Sequence, residues 1–344
     1  KNMGPNITKP RVVSGMRPTG KLHLGHLVGA LGQWSELQKK YDCMYFVADW
    51  HALTSEYADT SELTSYAYDN VTDWLAAGID PEHSTVFMQS LVPEHAELYL
   101  LLSMTIPIPW LERVPTYKEQ IDQLADRDLS TLGFLGYPLL QGADVMMYGA
   151  QYVPVGEDQV PHLELTREVI RRFEGFFGGL FPEPQPLLTR CPRLPGLDNR
   201  KMSKSYGNTI DLSDDENTVR KKVMRMYTDP KRIRADIPGT VEGNPVFIYH
   251  DAFNPDTAQV EDLKMRYRAG AVGDVEVKDL LARSINAMLT PMRENRAELL
   301  AKPGRIREIV LDGSSKARAI ARETMERVRE AVGLHYGGGK GARG

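Results

Sequence analysis

The segment Arg11-Val12-Val13-Ser14-Gly15-Met16-Arg17-Pro18-Thr19-Gly20-Lys21-Leu22-His23-Leu24-Gly25-His26 reads as strand, tight turn and helix start. Val12-Val13 is the apolar run of a strand, and Gly15 to Gly20, with Pro18 between them, supplies the breakers of a turn. From Leu24 onward the apolar residues Leu24, Leu27, Val28 and Leu31 recur at helical spacing. A helix start offers unpaired N–H groups and the positive end of the dipole, which together attract phosphate. Gly25 adds close access to the backbone.

The same alternation continues outward. Met44-Tyr45-Phe46-Val47-Ala48 is a buried-strand pattern running into Asp49-Trp50-His51, polar and aromatic groups at the strand end where open α/β sheets place ligands. Asp59 with Glu62 makes a capping box, Leu63, Ala67, Val71, Trp74 and Leu75 follow at helical spacing, and Gly78 stands as a C-cap. Val86-Phe87-Met88 reads as the next strand. This βαβα order predicts an α/β fold with a Rossmann-like parallel sheet. Past residue 205 the character changes. Ser213 and Glu216 form another capping box, Asp229-Pro230 is a breaker, and Leu263–Tyr267, Leu280–Met292 and Ile306–Val332 read as helices of an α-helical C-terminal domain. Gly337-Gly338-Gly339-Lys340-Gly341 reads as a flexible tail.

Composition bounds the function. A chain of 344 residues suits about two domains, and a net charge of −4 argues against indiscriminate coating of nucleic acid while permitting a local basic face. Cys43 and Cys191, the only cysteines, have no metal-site or disulfide-framework spacing. Lys1 to Pro10 carries no signal-like apolar run, and Leu98–Met104 is too short to span a membrane. A soluble, cytoplasmic protein is expected.

Two clusters carry chemistry. His23 and His26, three apart at a helix start, lack the further ligands of a metal site; contact with phosphate fits better, since an imidazole N–H can donate to a phosphate oxygen. Lys201-Met202-Ser203-Lys204-Ser205 lies between Gly196 and Gly207. A Lys-x-x-Lys loop is usually just solvated. Paired with the His23–His26 turn, it becomes a loop able to close over a triphosphate and neutralise developing charge.

These two segments resemble the paired signatures of class I aminoacyl-tRNA synthetases. Val153-Pro154-Val155-Gly156-Glu157-Asp158-Gln159 followed by His162-Leu163-Glu164-Leu165-Thr166-Arg167 narrows the resemblance to the tryptophanyl-tRNA synthetases of bacterial type. The resemblance implies ATP-dependent formation of tryptophanyl-adenylate from L-tryptophan with Mg2+, transfer to the 3′ ribose of tRNA(Trp), and a homodimer. It implies residues 1–205 as catalytic domain with a helical, dimer-forming insertion about 105–170, residues 206–334 as an anticodon-binding domain, and 335–344 as tail. Matching residues inherit roles residue by residue. Arg17, Pro18, Thr19, Gly25 and His26 resemble the ATP-binding turn, Gly156, Glu157 and Asp158 a second nucleotide loop, and Leu194 a backbone contact to adenine. Lys201, Met202, Ser203, Lys204 and Ser205 resemble the loop that closes on the phosphates. Lys118 resembles a further phosphate lysine, and with His23, His26, Lys201 and Lys204 completes the catalytic set. Gly15, His51, Tyr137, Gln141, Asp144 and Gln159 would line the tryptophan pocket, with no protein-bound metal.

Asp144 also has a physical argument of its own. Within the apolar run Tyr137 to Met147 its charge must be paired, and the indole N–H of tryptophan would supply a donor. On that reasoning phenylalanine, lacking the donor, would strand the carboxylate and be rejected strongly. The nearest rival is tyrosyl-tRNA synthetase, whose Tyr-x3-Gln-x2-Asp pattern Tyr137, Gln141 and Asp144 reproduce. Val13, where that relative carries Tyr, and Gly156-Glu157-Asp158-Gln159 argue against it. Arg17, Gln141 and Tyr206-Gly207 depart from the common bacterial pattern and leave room for a specialised second copy with an added binding or delivery role and a further, unidentified protein partner. A small-molecule nucleotidyltransferase and a catalytically reduced paralogue are the remaining alternatives. For tRNA, the basic stretch Arg220, Lys221, Lys222, Arg225, Lys231, Arg232 and Arg234 is either a phosphate track or a solvated face, and Tyr227, Phe247 and Tyr267 are either base-stacking rings or core residues.

Overall fold

The computed structural model describes residues 9–115, 117–118, 121, 128–188, 194–202, 206–302 and 304–336. Five strands, β1 (Arg11–Met16), β2 (Asp42–Val47), β3 (Ser84–Met88), β4 (Tyr152–Val155) and β5 (Gln185–Leu188), form one all-parallel sheet in the order β3-β2-β1-β4-β5. The order reverses between β1 and β4. At such a switch point the flanking connections leave to opposite sides and open a crevice at the strands' C-terminal ends. The expected α/β fold, with its Rossmann-like parallel sheet and helical C-terminal part, is the observed one.

The predicted elements appear with shifted ends. The run 24–37, α1, opens as a helix at Leu24–His26, passes through a π-helical turn at Leu27–Leu31 and resumes at Gly32–Leu37. After β2 comes α2 (Asp49–Glu56), then α3 (Leu63–Ala76), ended by Gly78 at φ 106° as the C-cap pattern required. Its N-cap is Glu62 and not Asp59, whose carboxylate instead accepts Ser61 N–H in a turn. Before the C-terminal half come α4 (Glu94–Ser103), α5 (Ile108–Glu112), α6 (Leu132–Met147) and α7 (Val160–Phe177). Then α8 (Glu216–Met224) is capped by Asp215 through Thr218 N–H, displacing the predicted Ser213. α9 (Pro245–Phe253), not foreseen, precedes α10 (Thr257–Arg268), α11 (Asp274–Leu300) and α12 (Arg305–Ala331). The glycine-rich tail from 337 lies outside the described residues. None of the described helices is long and apolar enough to cross a membrane.

The C-terminal helices pack into the sheet's own core. Val12, Leu24 and Val86 share one buried cluster with Val246, Phe247, Leu281 and Val310. β3 is an edge strand, and α12 lies along it. A Cβ on Gly313 would sit only 1.9 Å from the Val86 carbonyl oxygen, so only glycine allows the helix this close. Next to it, Met88 N–H donates to Ser314 Oγ (3.2 Å). The helix thus covers an edge that would otherwise present unpaired strand groups. Arg318 bonds Glu94, Arg329 grips Glu97 with two 2.6 Å hydrogen bonds, and Thr324 donates to Met147 O, so α12 also clamps α4 and α6.

A second tie joins α11 to α3: Arg296 bridges Asp69 and Asp73. Asp73 is almost wholly buried, and burial pushes its carboxyl up to about 7 against the pull of Arg296. Removing one member of a buried pair leaves the other uncompensated. Arg296→Met should therefore destabilise the chain by about 3–5 kcal/mol in urea unfolding, whereas a loss below about 1 kcal/mol would show that the tie is energetically idle.

Candidate functional site

The HLGH turn is built by its own backbone. His23 Nδ1 accepts Gly25 N–H (3.1 Å) and His26 Nδ1 accepts His23 N–H (3.0 Å), a reciprocal cap made by two imidazoles whose rings lie 4.0 Å apart. With both Nδ1 atoms accepting, the neutral rings carry their hydrogen on Nε2, the donor arrangement a phosphate requires.

The lysine loop reaches this turn through its backbone and through Met202. His23 forms an isolated antiparallel bridge with Asp211, Leu24 N–H donates to Ile210 O (3.0 Å), and Leu212 N–H to Leu22 O (2.9 Å). Met202 Sδ lies 3.0 Å from where a Gly25 Cβ would be, so the two segments meet at a position only glycine leaves open. Asn208 knits the loop's base, donating to Asp198 (2.9 Å) and Lys201 O (3.0 Å). Asn208 and Arg200 hold the Asp198 carboxyl down at about 2. Gly196 is pressed against Asn208 and fixes the base of the loop, while Gly207 takes the left-handed φ of 59° in open space. Ser203, Lys204 and Ser205 lie outside the described residues.

At the switch point a cavity of about 370 Å³ opens between β1, β2, α2, α6 and the start of α7. That lies at the small end of ligand pockets, roughly 300–1,000 Å³. Gly15, His51, Tyr137, Gln141, Asp144 and Gln159, read from distant parts of the sequence, all line it, with Arg17, Thr19 and His26. A side chain on Gly15 would strike the Phe46 ring at 2.5 Å, so the ring forms the floor only because position 15 has none. Gly156, Glu157 and Asp158 form the turn after β4 beside the cavity, outside its lining. Leu194 is buried in the main core. Pro18, Lys201 and the exposed Lys118 are likewise outside the lining.

Asp144 is 1% exposed and already holds three hydrogen bonds from protein groups. Oδ1 accepts from Gln89 Nε2 (2.8 Å) and His95 Nδ1 (2.6 Å), and Oδ2 from His51 Nε2 (2.7 Å). Burial alone would raise its carboxyl; the bonds from His51 and His95 outweigh it and hold the group below its usual range. The expectation that Asp144 lacks a donor until a ligand arrives is therefore corrected. An ionised carboxylate has about four lone-pair sites, and three are taken.

The sequence reading missed His95, Gln89 and Tyr148 behind Asp144, and Met16, Phe46, Ala48, Thr54 and His162 in the lining. His162 stood in a quoted motif but received no role. It contacts Gln141 Oε1 (3.0 Å), and burial pushes its ring down to about 4, with Asp158 opposing. The tRNA candidates also sort themselves. Phe247 and Tyr267 are core residues packed edge-to-face, whereas Tyr227 is exposed. Arg232 is buried, donating to Ala235 O and Ile237 O, and Arg220, Lys222 and Arg234 pair with Asp279, Asp214 and Asp236. Lys221, Arg225 and Lys231 remain exposed.

Because His162 titrates near 4 in the fold and near 6.5 when free, the unfolded chain binds the extra proton between those values. Its contribution to stability is then complete above about 6.5 and is lost as pH falls toward 4. NMR should show this imidazole unprotonated from pH 8 down to 5, identified by its loss in His162→Gln; a midpoint near 6.5 would contradict the burial argument.

Comparison with known proteins adds an independent line. The family described as tRNA synthetases class I (W and Y) matches residues 6–290. The tryptophan–tRNA ligase of Thermotoga maritima is 50% identical over 327 residues, covering 95% of this chain and all of that protein. That of Treponema pallidum is also 50% identical, covering 94% and 97% of the two chains. Among solved structures, tryptophanyl-tRNA synthetase from Campylobacter jejuni, complexed with ADP and tryptophan, superposes with a TM-score of 0.84 at 34% identity over 94% of this chain and all of that one. A glycine-opened helix turn met by a lysine loop beside a switch-point cavity, joined to half-identity across nearly the whole length, places this chain in the tryptophan–tRNA ligase family of class I synthetases.

Proposed function

We propose that the chain activates L-tryptophan with ATP to tryptophanyl-adenylate and transfers it to the 3′-terminal ribose of tRNA(Trp), releasing pyrophosphate and AMP. The observation that carries this reading is the cavity itself. Six residues expected around an amino acid surround one space, and the His23–His26 helix start opens onto it through His26.

The tryptophan carboxylate attacks the α-phosphate in line and pyrophosphate leaves. Ionised at neutral pH, that carboxylate needs no general base. Catalysis is then positioning and charge neutralisation by His23, His26, Lys118, Lys201 and Lys204, with Arg17, Pro18, Thr19, Gly25, Gly156, Glu157, Asp158, Leu194, Met202, Ser203 and Ser205 contacting the nucleotide. Tyr137 and Gln159 take the substrate ammonium. Gln141, whose carbonyl already receives the His162 hydrogen, offers its amide N–H to the carboxylate. Magnesium, which the family resemblance implies, would enter with ATP, whose phosphate oxygens suit a hard cation that keeps several of its waters.

Asp144 takes the indole N–H on its fourth lone-pair site. Because the carboxylate is satisfied without substrate, a ligand lacking that donor forfeits one hydrogen bond and strands nothing. Discrimination from this contact is then about 1.5–3 kcal/mol, well short of the penalty for an orphaned charge.

Residues 206–334 supply the tRNA-binding part, with exposed Lys221, Arg225 and Lys231 and Tyr227 as its available groups. The segment about 105–170 forms the homodimer. Within it Ile108 and Leu132 are 59% and 79% exposed, and at its edges Met104 and Phe176 are exposed too, the Arg172 guanidinium lying over both the Trp110 and the Phe176 ring, so the segment offers apolar surface for a partner subunit.

Three measurements test this. Pyrophosphate exchange into ATP, run with each standard amino acid separately, should depend on tryptophan alone; dependence on tyrosine would move the chain to the rival specificity, and no exchange at all would overturn the reading. Lys204→Ala should lower the exchange kcat by about 10²–10³-fold with a smaller effect on the tryptophan KM, and the opposite pattern would remove Lys204 from the catalytic set. Light scattering should give twice the chain mass, reduced to one by Ile108→Asp; a dimer unaffected by that charge would place the interface elsewhere.

A further inference from the structure

Behind the cavity wall a hydrogen-bond chain runs inward from Asp144. His95 is wholly buried and Tyr148 is 2% exposed. The Tyr148 hydroxyl lies 2.5 Å from His95 Nε2, its one recorded partner among the described residues. A buried hydroxyl must place its hydrogen on an acceptor, so Nε2 accepts. The neutral ring then carries its hydrogen on Nδ1 and donates to Asp144 Oδ1 at 2.6 Å. Burial, with the nearby Asp144 and Glu94 charges, pushes the Tyr148 phenol well above its ordinary range, in keeping with an intact O–H.

Gln89 is fixed just as firmly. Its Oε1 accepts Trp50 N–H (3.2 Å), so Nε2 is the atom that meets Asp144 Oδ1. Reversing the amide would orphan both contacts. Among the described residues Oδ1 is therefore occupied twice, by groups that do not line the cavity, while Oδ2 holds only His51, which does. The carboxylate cannot rotate without breaking two buried bonds. Its unused lone pair is aimed by residues that never touch the substrate.

We propose that His95 and Tyr148 are positioning residues for substrate selection: through Asp144 Oδ1 they fix the remaining acceptor site of Oδ2 toward the cavity, and so set the preference for a ring bearing an N–H. The inference rests on the reading of Asp144 as the indole acceptor. Without the His95 donor the carboxylate turns more freely and its acceptor site is no longer held in one direction. Without the Tyr148 hydroxyl the imidazole can move its hydrogen to Nε2, leaving Nδ1 facing Oδ1 as a second acceptor.

The test compares tryptophan with its benzothiophene analogue, in which sulfur replaces the ring N–H and the bicyclic shape is kept. The readout is the ratio of the two kcat/KM values in pyrophosphate exchange, which general destabilisation would not move. The unmodified chain should favour tryptophan by about 10- to 150-fold. His95→Leu should bring the ratio to within about threefold of unity, His95→Asn, whose amide can replace the Nδ1 donor, should retain most of it, and Tyr148→Phe should lower it several-fold. If His95→Leu fails to fold, Tyr148→Phe decides alone. An unchanged ratio in the variants that fold overturns the proposal. Asp144→Asn separates the two levels: a ratio collapsed there but intact in the His95 and Tyr148 variants sinks only the positioning chain, whereas a ratio intact in Asp144→Asn sinks the reading of Asp144 itself.

Discussion

A carboxylate removed from water has to be matched by donors, and the donors of Asp144 arrive from three separate stretches of chain. His51 comes from the helix after β2, Gln89 from the turn after β3, and His95 from the first turn of α4. Each of those elements must stand within hydrogen-bond distance of α6 for the charge to be tolerated there. One ion thus fixes the positions of the helices around the cavity, and no shift of α2 or α4 leaves it satisfied. The selectivity of the pocket and the registry of its walls rest on the same contacts.

A second constraint runs between the halves of the chain. The helix start that would hold phosphate is itself held by residues 210–212, which pair with it as a short strand would, and by Met202 resting on Gly25. A shift of Met202 or of residues 210–212 would consequently reach the turn without an intervening layer. The Arg296 tie and the buried cluster shared by β1, β3, α9, α11 and α12 make the C-terminal helices part of the support for the sheet.

What the sequence revealed follows the reach of its signals. Periodicity located β1, β2, β3 and α3, because a buried face imposes a repeat on its own segment. Caps were misplaced by a few residues at Asp59 and Ser213, since several neighbouring side chains can cap and the backbone chooses among them. The cavity lining was legible through resemblance. The donors behind Asp144 were not: a single buried His95 or Gln89 has no period, and its partners lie 49 and 55 residues away. Charge runs stayed ambiguous for the related reason that pairing is tertiary: Arg232, inside a basic stretch, is spent on the Ala235, Ile237 and Val272 carbonyls, on Asp274 and on the face of Tyr267.

The covered edge of β3 also sets an order of events at synthesis. Ser314 meets Met88 across 226 positions of sequence. At about 5–20 residues per second, roughly 10 to 45 s separate the emergence of that strand from the arrival of the helix that shields it. For that interval the nascent sheet offers a bare row of backbone donors and acceptors to any neighbouring strand. The chain's hazard of misassociation is therefore concentrated before α12 is made, and a nascent chain stalled short of residue 313 leaves β3 bare on that side.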